Sequence, residues 1–459
     1  MPSLLLKHAD VVLTMDATRP RIAGGSILIR DGWIVQIFDP PDLPPAVEAT
    51  ADEVLDARGL ALLPGLINTH HHFYQTLTRA VPGAQDQKLF DWLVRLYPIW
   101  GELTDEAVYI SSLTAMAELI RSGCTTSSDH LYLFPNDSTL DAQIRAAQTL
   151  GMRFHATRGS MSLGRSQGGL PPDHVVQAEA DILRDCQRVI EQYHDPQPGS
   201  LLRIALAPCS PFSVTPQLMR ETARLARAYP NVMLHTHVAE TADEEDFCLA
   251  RFGKRPAAYM HELGWTGADV WWAHAIFLND AEIRLLAETG TGVAHCPASN
   301  MRLGSGICRV RAMLDHGVKV GIGVDGSASN DTGHILNEAR TAVLLQRVQL
   351  GAERFSVAEG LQLATRGSAA VLGRDELGVL AVGKAADIIG VNLHTLAMSG
   401  GAVHDPLAAL LLCAIERVDL SVIHGRVVLR DGVLQGLDLP ALIARHNAIA
   451  ADMVARHPL

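Results

Sequence analysis

The chain has 459 residues, 48% apolar and 19% charged, so it can bury a large core and is a poor candidate for wholesale disorder. A formal charge of −12 with no run of Lys and Arg argues against nucleic acid as a partner and suits a small neutral molecule. Scattered cysteines without CxxC, an apolar start cut short by Lys7 and Asp10, and no bilayer-length apolar run predict a cytoplasmic protein with no membrane partner.

In chain order, 4–13, 25–30 and 33–37 are β-rich, with Asp31-Gly32 as a hairpin turn between the last two. The pattern returns near the end in 386–391 and 421–429, where Asp431-Gly432 is again a turn. Two β-rich ends around a long middle predict one small β-domain built from both termini. Between them, β-prone runs at 60–68, 124–128, 152–156, 202–207, 232–236, 270–273, 292–294 and 318–324 alternate with helical patterns such as 105–121, 216–228 and 280–289. Alternating βα units imply a parallel sheet with helices outside it. Eight such strands suit a closed barrel, though an open doubly wound sheet fits the same alternation. A literal GxGxxG at 321–326 lies inside the last strand rather than between a strand and a helix, so it fails the dinucleotide fingerprint. The tail, 438–459, reads as helical.

The chemistry collects at strand ends. In Pro64-Gly65-Leu66-Ile67-Asn68-Thr69-His70-His71-His72, an extended backbone points His70 and His72 to one face, half of a metal site. His235-Thr236-His237-Val238-Ala239-Glu240 repeats the pairing and adds a carboxylate three residues on. One of these histidines is a candidate third ligand and Glu240 a candidate proton shuttle. His274 ends 270–274 and Asp325 ends 318–325. Singly, each is as easily a packed histidine or a turn aspartate. A parallel barrel, however, brings the carboxyl ends of all its strands to one face, where these groups would converge.

With those residues in view, the sequence resembles the amidohydrolase superfamily, within it the aminohydrolases that include guanine deaminase, cytosine deaminase and the triazine hydrolases. The 64–72 stretch is similar to the family's first-strand motif and His237-Val238-Ala239-Glu240 to its fifth-strand HxxE. Ala273-His274 looks like the sixth strand, His295-Cys296-Pro297-Ala298-Ser299-Asn300 the seventh-strand HxPxSN, and Val324-Asp325-Gly326 the eighth. Gly383-Lys384-Ala385-Ala386-Asp387 resembles the family's return into its β-sandwich. The resemblance implies an α/β fold: a TIM-like (β/α)8 barrel over 64–372, a β-sandwich from 1–63 and 373–437, and the helical tail. It implies His70, His72, His237 and Asp325 as metal ligands and leaves His235 as a neighbour. Many binuclear relatives use a lysine at the end of the fourth strand. None occurs here between Lys88 and Lys254, so one divalent metal is expected, zinc with iron(II) as the alternative.

The implied reaction is hydrolytic deamination. Asp325 accepts a proton from water, Glu240 protonates a ring nitrogen, and His274 orients the nucleophile. The stretch 70–80 looks most like the branch that deaminates 8-oxoguanine to urate and ammonia, with triazine, guanine and pterin aminohydrolases as alternatives and an inert binding barrel as a reading of another class. Gln75, Arg158 and Cys209 are candidate substrate contacts, Trp92 a candidate apolar wall, and a homo-oligomer is compatible with all of this.

Overall fold

The computed structural model describes residues 3–457, so the first two residues of the expected sandwich and the last two of the expected tail lie outside the described residues. Eight parallel strands follow one another around the sheet in sequence order: β1 (Leu66–Asn68), β2 (Cys124–Leu131), β3 (Arg153–Ser160), β4 (Leu202–Pro208), β5 (Met233–Val238), β6 (Val270–His274), β7 (Gly292–His295) and β8 (Val320–Ile322). Every residue of β2 and of β5–β8 is buried, as expected of strands covered on both sides. The ring closes between its ends. Thr69 N donates to Ile322 O at 2.9 Å, Asp325 N to His70 O at 3.1 Å, and Val324 N to the Asn68 side-chain oxygen at 3.0 Å. An open doubly wound sheet is thereby excluded.

Helices pack outside this ring. Asp105–Arg121 starts at Thr104, whose hydroxyl accepts from Ala107 N, and Asp280–Thr289 opens with an Asn279/Glu282 capping box and stops at left-handed Gly290. The β1-to-β2 connection carries a second helix, Leu89–Trp100, which lies over the barrel mouth. Leu439–Ala455 docks on Asp105–Arg121 through an Arg445–Glu106 ion pair, and His446 bonds Thr76 at 3.0 Å.

Both ends of the chain build two further sheets. One has four strands in the order Trp33–Phe38, Ser26–Arg30, Leu4–Lys7, Glu53–Asp56. The other has seven, and in it Leu60–Pro64 pairs with Ile388–Asn392 on one side and Val11–Leu13 on the other. Leu4, Leu6, Ile27 and Ile29 from the first sheet meet Val12, Leu62, Ile388 and Val422 from the second in one buried cluster, which makes a sandwich.

Three sequence expectations change in detail. The run 4–13 divides between the two sandwich sheets, as Leu4–Lys7 and Val11–Leu13. The run 60–68 is not one barrel strand: it divides at Gly65, with Leu60–Pro64 in the sandwich and Leu66–Asn68 in the barrel. A side chain at 65 would lie 2.1 Å from Thr125 Oγ1, so only glycine lets β2 come this close. The run 421–429 likewise folds into a hairpin, Leu420–Ile423 against Arg426–Arg430, because His424 and Gly425 both take left-handed backbone.

Candidate active site

The strand ends deliver their side chains to the barrel mouth as the alternation of a strand requires. His70 and His72 follow β1, His237 lies on β5, His274 ends β6, and Asp325 follows β8; each is at most 8% exposed. His274 (φ 71°) and Asp325 (φ 63°) sit in left-handed backbone, a conformation that costs non-glycine residues about 1–3 kcal/mol and persists only where surroundings impose it. Asp325 is held by Gly326 N at 2.7 Å and by the Ser299 and Ser329 hydroxyls at 2.5 and 3.3 Å.

Tautomers can be read from the acceptors. His72 Nδ1 lies 2.7 Å from His130 O, and His237 Nδ1 lies 2.6 Å from Cys209 O. Carbonyls only accept, so both rings carry their proton on Nδ1 and leave Nε2 as a lone pair. These two Nε2 atoms nonetheless face each other at 3.2 Å. Asp325 Oδ1 adds another acceptor, 3.4 Å from His72 Nε2 and 3.3 Å from His70 Nε2, and the latter has no hydrogen-bond partner among the described residues. Acceptors crowded together without a donor repel unless a cation sits among them, and nitrogen with carboxylate oxygen suits a divalent transition metal. His70, His72, His237 and Asp325 therefore fit a metal ion. Burial keeps the imidazoles in the ligating form, lowering His72 and pushing His237 down to about 3. Burial also opposes charge on Asp325, but His70, His274 and His72 around it hold it well below the usual carboxylate range.

Glu240, just beyond β5, is 4% exposed, and burial pushes its carboxyl up to about 7. Its Oε2 lies 3.5 Å from His274 Nε2, which is also 3.9 Å from Asp325 Oδ2. His274 Nδ1 bonds Asn300 Oδ1 at 2.9 Å, turning Nε2 toward the two carboxylates. Burial would lower His274, yet Glu240, Asp325 and the Asn300 bond together raise it. The Glu240 main chain is itself fixed, since Glu244 accepts from Ala239 N at 2.8 Å and from Glu240 N at 3.0 Å.

His72, His237, Glu240, His274 and Asp325 share one cavity with Gln75, Trp92 and Cys209. Leu89, Trp92, Leu93 and Tyr97 form its wall on the overlying helix, and Trp92 Nε1 is anchored to Ala328 O at 3.2 Å. Arg158 is elsewhere. Its guanidinium pairs with Asp185 at 2.7 Å, bonds Gln177, and stacks 3.8 Å over Phe134, outside this cavity. As a substrate contact it is a misreading: along β3, Arg158 has the opposite parity to His155, whose ring faces Trp271 in the barrel interior.

Sequence reasoning also passed over His130, near the end of β2. Its carbonyl orients His72, its Nε2 bonds Ala207 O at 2.8 Å, and its ring stacks on His237 with centroids 4.7 Å apart. The available signal was position alone, a histidine closing a barrel strand. His235, left as a neighbour, is in contact with His70 at 2.8 Å.

Fold and site together define a barrel metallohydrolase, and the chain belongs to the amidohydrolase family, whose pattern it matches over residues 61–428. It is 50% identical over 435 residues to the 8-oxoguanine deaminase of Pseudomonas aeruginosa, covering 94% of this chain and 96% of that one. With the hydroxydechloroatrazine ethylaminohydrolase of a Pseudomonas species it shares 38% over 474 residues, 100% of this chain and 97% of the relative. The crystal structure of an atrazine chlorohydrolase from Arthrobacter aurescens complexed with zinc superposes with a TM-score of 0.92 at 35% identity, covering 97% of this chain and 100% of that one.

Proposed function

We propose that this chain is a cytoplasmic, zinc-dependent aminohydrolase that converts 8-oxoguanine and water to urate and ammonia. The observation that carries the reading is Glu240: a buried carboxyl, raised to about 7, sharing a cavity with His72, His237, His274 and Asp325. The 50% identity to a deaminase of that substrate, over nearly the whole of both chains, supports the choice of ring. The zinc in a solved relative supports the choice of metal, and seven free cysteines suit a reducing compartment.

Zinc in such a site supplies Lewis acidity that makes water a stronger acid and nucleophile near neutrality. Asp325, ionised and beside the imidazoles, takes a proton from the attacking water. Glu240 gives its proton to the ring nitrogen next to the amine-bearing carbon, which makes that carbon more electrophilic. His274 Nε2, turned inward by Asn300, donates to the incoming oxygen and steadies the charge that develops there. As the carbon–nitrogen bond breaks, a proton passes to the amine and it leaves as ammonia. Trp92 and the leucines of the overlying helix hold the ring plane and exclude water, while the Gln75 amide meets its polar edge.

The test is ammonia release from 8-oxoguanine, guanine, isoxanthopterin and hydroxyatrazine side by side, with metal content measured on the same sample. Turnover is expected to be greatest with 8-oxoguanine. Faster turnover of another ring would refute the substrate assignment, and a full metal complement with no turnover on any of them would refute the deaminase reading.

A further inference from the structure

The imidazoles that face the cation site are not held alike. His72 and His237 give their Nδ1 protons to main-chain carbonyls, acceptors that no side-chain substitution removes. His70 is the exception, for its Nδ1 lies 2.8 Å from Nε2 of a second, fully buried side chain, His235. His235 Nδ1 in turn lies 2.9 Å from the carbonyl oxygen of Trp271, its register partner on the neighbouring strand. Since that carbonyl can only accept, the His235 proton is on Nδ1 and its Nε2 is a lone pair. That lone pair requires His70 to present a proton on its own Nδ1, which leaves His70 Nε2 free to face Asp325.

Trp271 secures the arrangement twice more. Its indole lies against the His235 ring, centroids 4.3 Å apart and planes 13° from parallel. Its indole N–H donates at 3.1 Å to the carbonyl of Thr69, the residue before His70. The path from Trp271 through His235 and His70 therefore returns along the main chain to Trp271.

We propose that His235 is a positioning residue, which sets the tautomer and ring direction of His70 for cation binding with Trp271 as its anchor. The proposal rests on the reading of His70 as a metal ligand but is independent of which heterocycle is deaminated.

Two amides of different reach test it. The longer side chain in His235→Gln places its oxygen where it accepts from His70, whereas the shorter one in His235→Asn reaches the Trp271 carbonyl but stops short of His70. Each protein is stripped of metal, its zinc affinity is measured by competition with a chromophoric chelator, and the thermal unfolding of the metal-free form is recorded alongside. The expected result is an affinity about 10–100-fold weaker for His235→Asn, a loss typical of removing a ligand's supporting hydrogen bond, with most of it recovered in His235→Gln. The two metal-free proteins should melt together. Equal zinc affinities for the two variants would overturn the proposal, as would an affinity loss matched by a lower melting temperature of metal-free His235→Asn, the mark of simple packing. Absence of 8-oxoguanine turnover in the unaltered protein would refute the substrate assignment and leave this affinity ratio unchanged.

Discussion

Glu240→Gln gives the sharpest test of the chemistry. The ordinary glutamate value is 4.5, so at pH 7 an exposed glutamate would carry a proton in about one molecule in 300. Burial raises the group to about 7, where half the molecules carry it, a gain in proton donors of roughly 150-fold. The sign is fixed by the direction of that shift: the donor form is present below pH 7 and is lost as pH rises through it. In unaltered protein kcat/KM is thus expected to fall as pH rises past 7, approaching tenfold per pH unit and leaving about 1% of its low-pH limit at pH 9. Glutamine fills the same space but has no proton to give, so kcat/KM should drop by about 10²–10⁴ with metal content unchanged. The assay is ammonia release at limiting substrate from pH 6 to pH 9, with metal analysis in parallel. A flat profile over that range, or a Gln variant within tenfold of the unaltered enzyme, would refute the shuttle.

Other expectations address the rest of the machinery. A Cβ at Gly326 would lie 1.8 Å from Gln75 Oε1, so Gly326→Ala must drive that amide out of place; KM should rise about tenfold, the worth of one hydrogen bond, with zinc content unchanged, and an unaltered KM would remove Gln75 from substrate binding. Asp387 and Arg153 form a buried pair, 4% and 0% exposed, bonded at 2.7 and 3.0 Å; Asp387→Ala strands the guanidinium and should cost about 3–5 kcal/mol in chemical denaturation, whereas a loss below about 1 kcal/mol would show that the pair is dispensable. Removing metal with a chelator should abolish turnover and lower the melting temperature. Free metal at a hundred times its Kd stabilises the native state by about 2.7 kcal/mol, so equal melting temperatures of metal-free and metal-saturated protein would contradict a cation bound by the folded site.

What the sequence disclosed depended on whether a signal was local. His70, His72, His237, Glu240, His274 and Asp325 each end or follow a recognisable strand, and a parallel barrel converts that shared position into proximity. The helices 105–121 and 280–289 were legible because a helical pattern is carried within each segment itself. The division of 60–68 was not, because it depends on how closely Thr125 approaches Gly65 from a strand some sixty residues later. Arg158 was misread by applying the strand-end rule without the alternation that accompanies it. His130 and His235 act through a carbonyl and a second imidazole, and such partners appear only when the chain is folded.

The division at Gly65 has a consequence for assembly. The strand that leads to His70 and His72 is rooted in the sandwich, where Ile388–Asn392 lies beside Leu60–Pro64 and Gly65 N donates to Asp387 O at 2.9 Å. On an emerging chain, the first two imidazoles thus appear more than three hundred residues before the strand that braces their base. The sandwich is therefore no detachable appendage but the footing of the strand that carries His70 and His72 into the proposed metal site. A chain cut short of residue 392 would carry every proposed ligand and still lack the strand that pairs with Leu60–Pro64 beneath the first two of them.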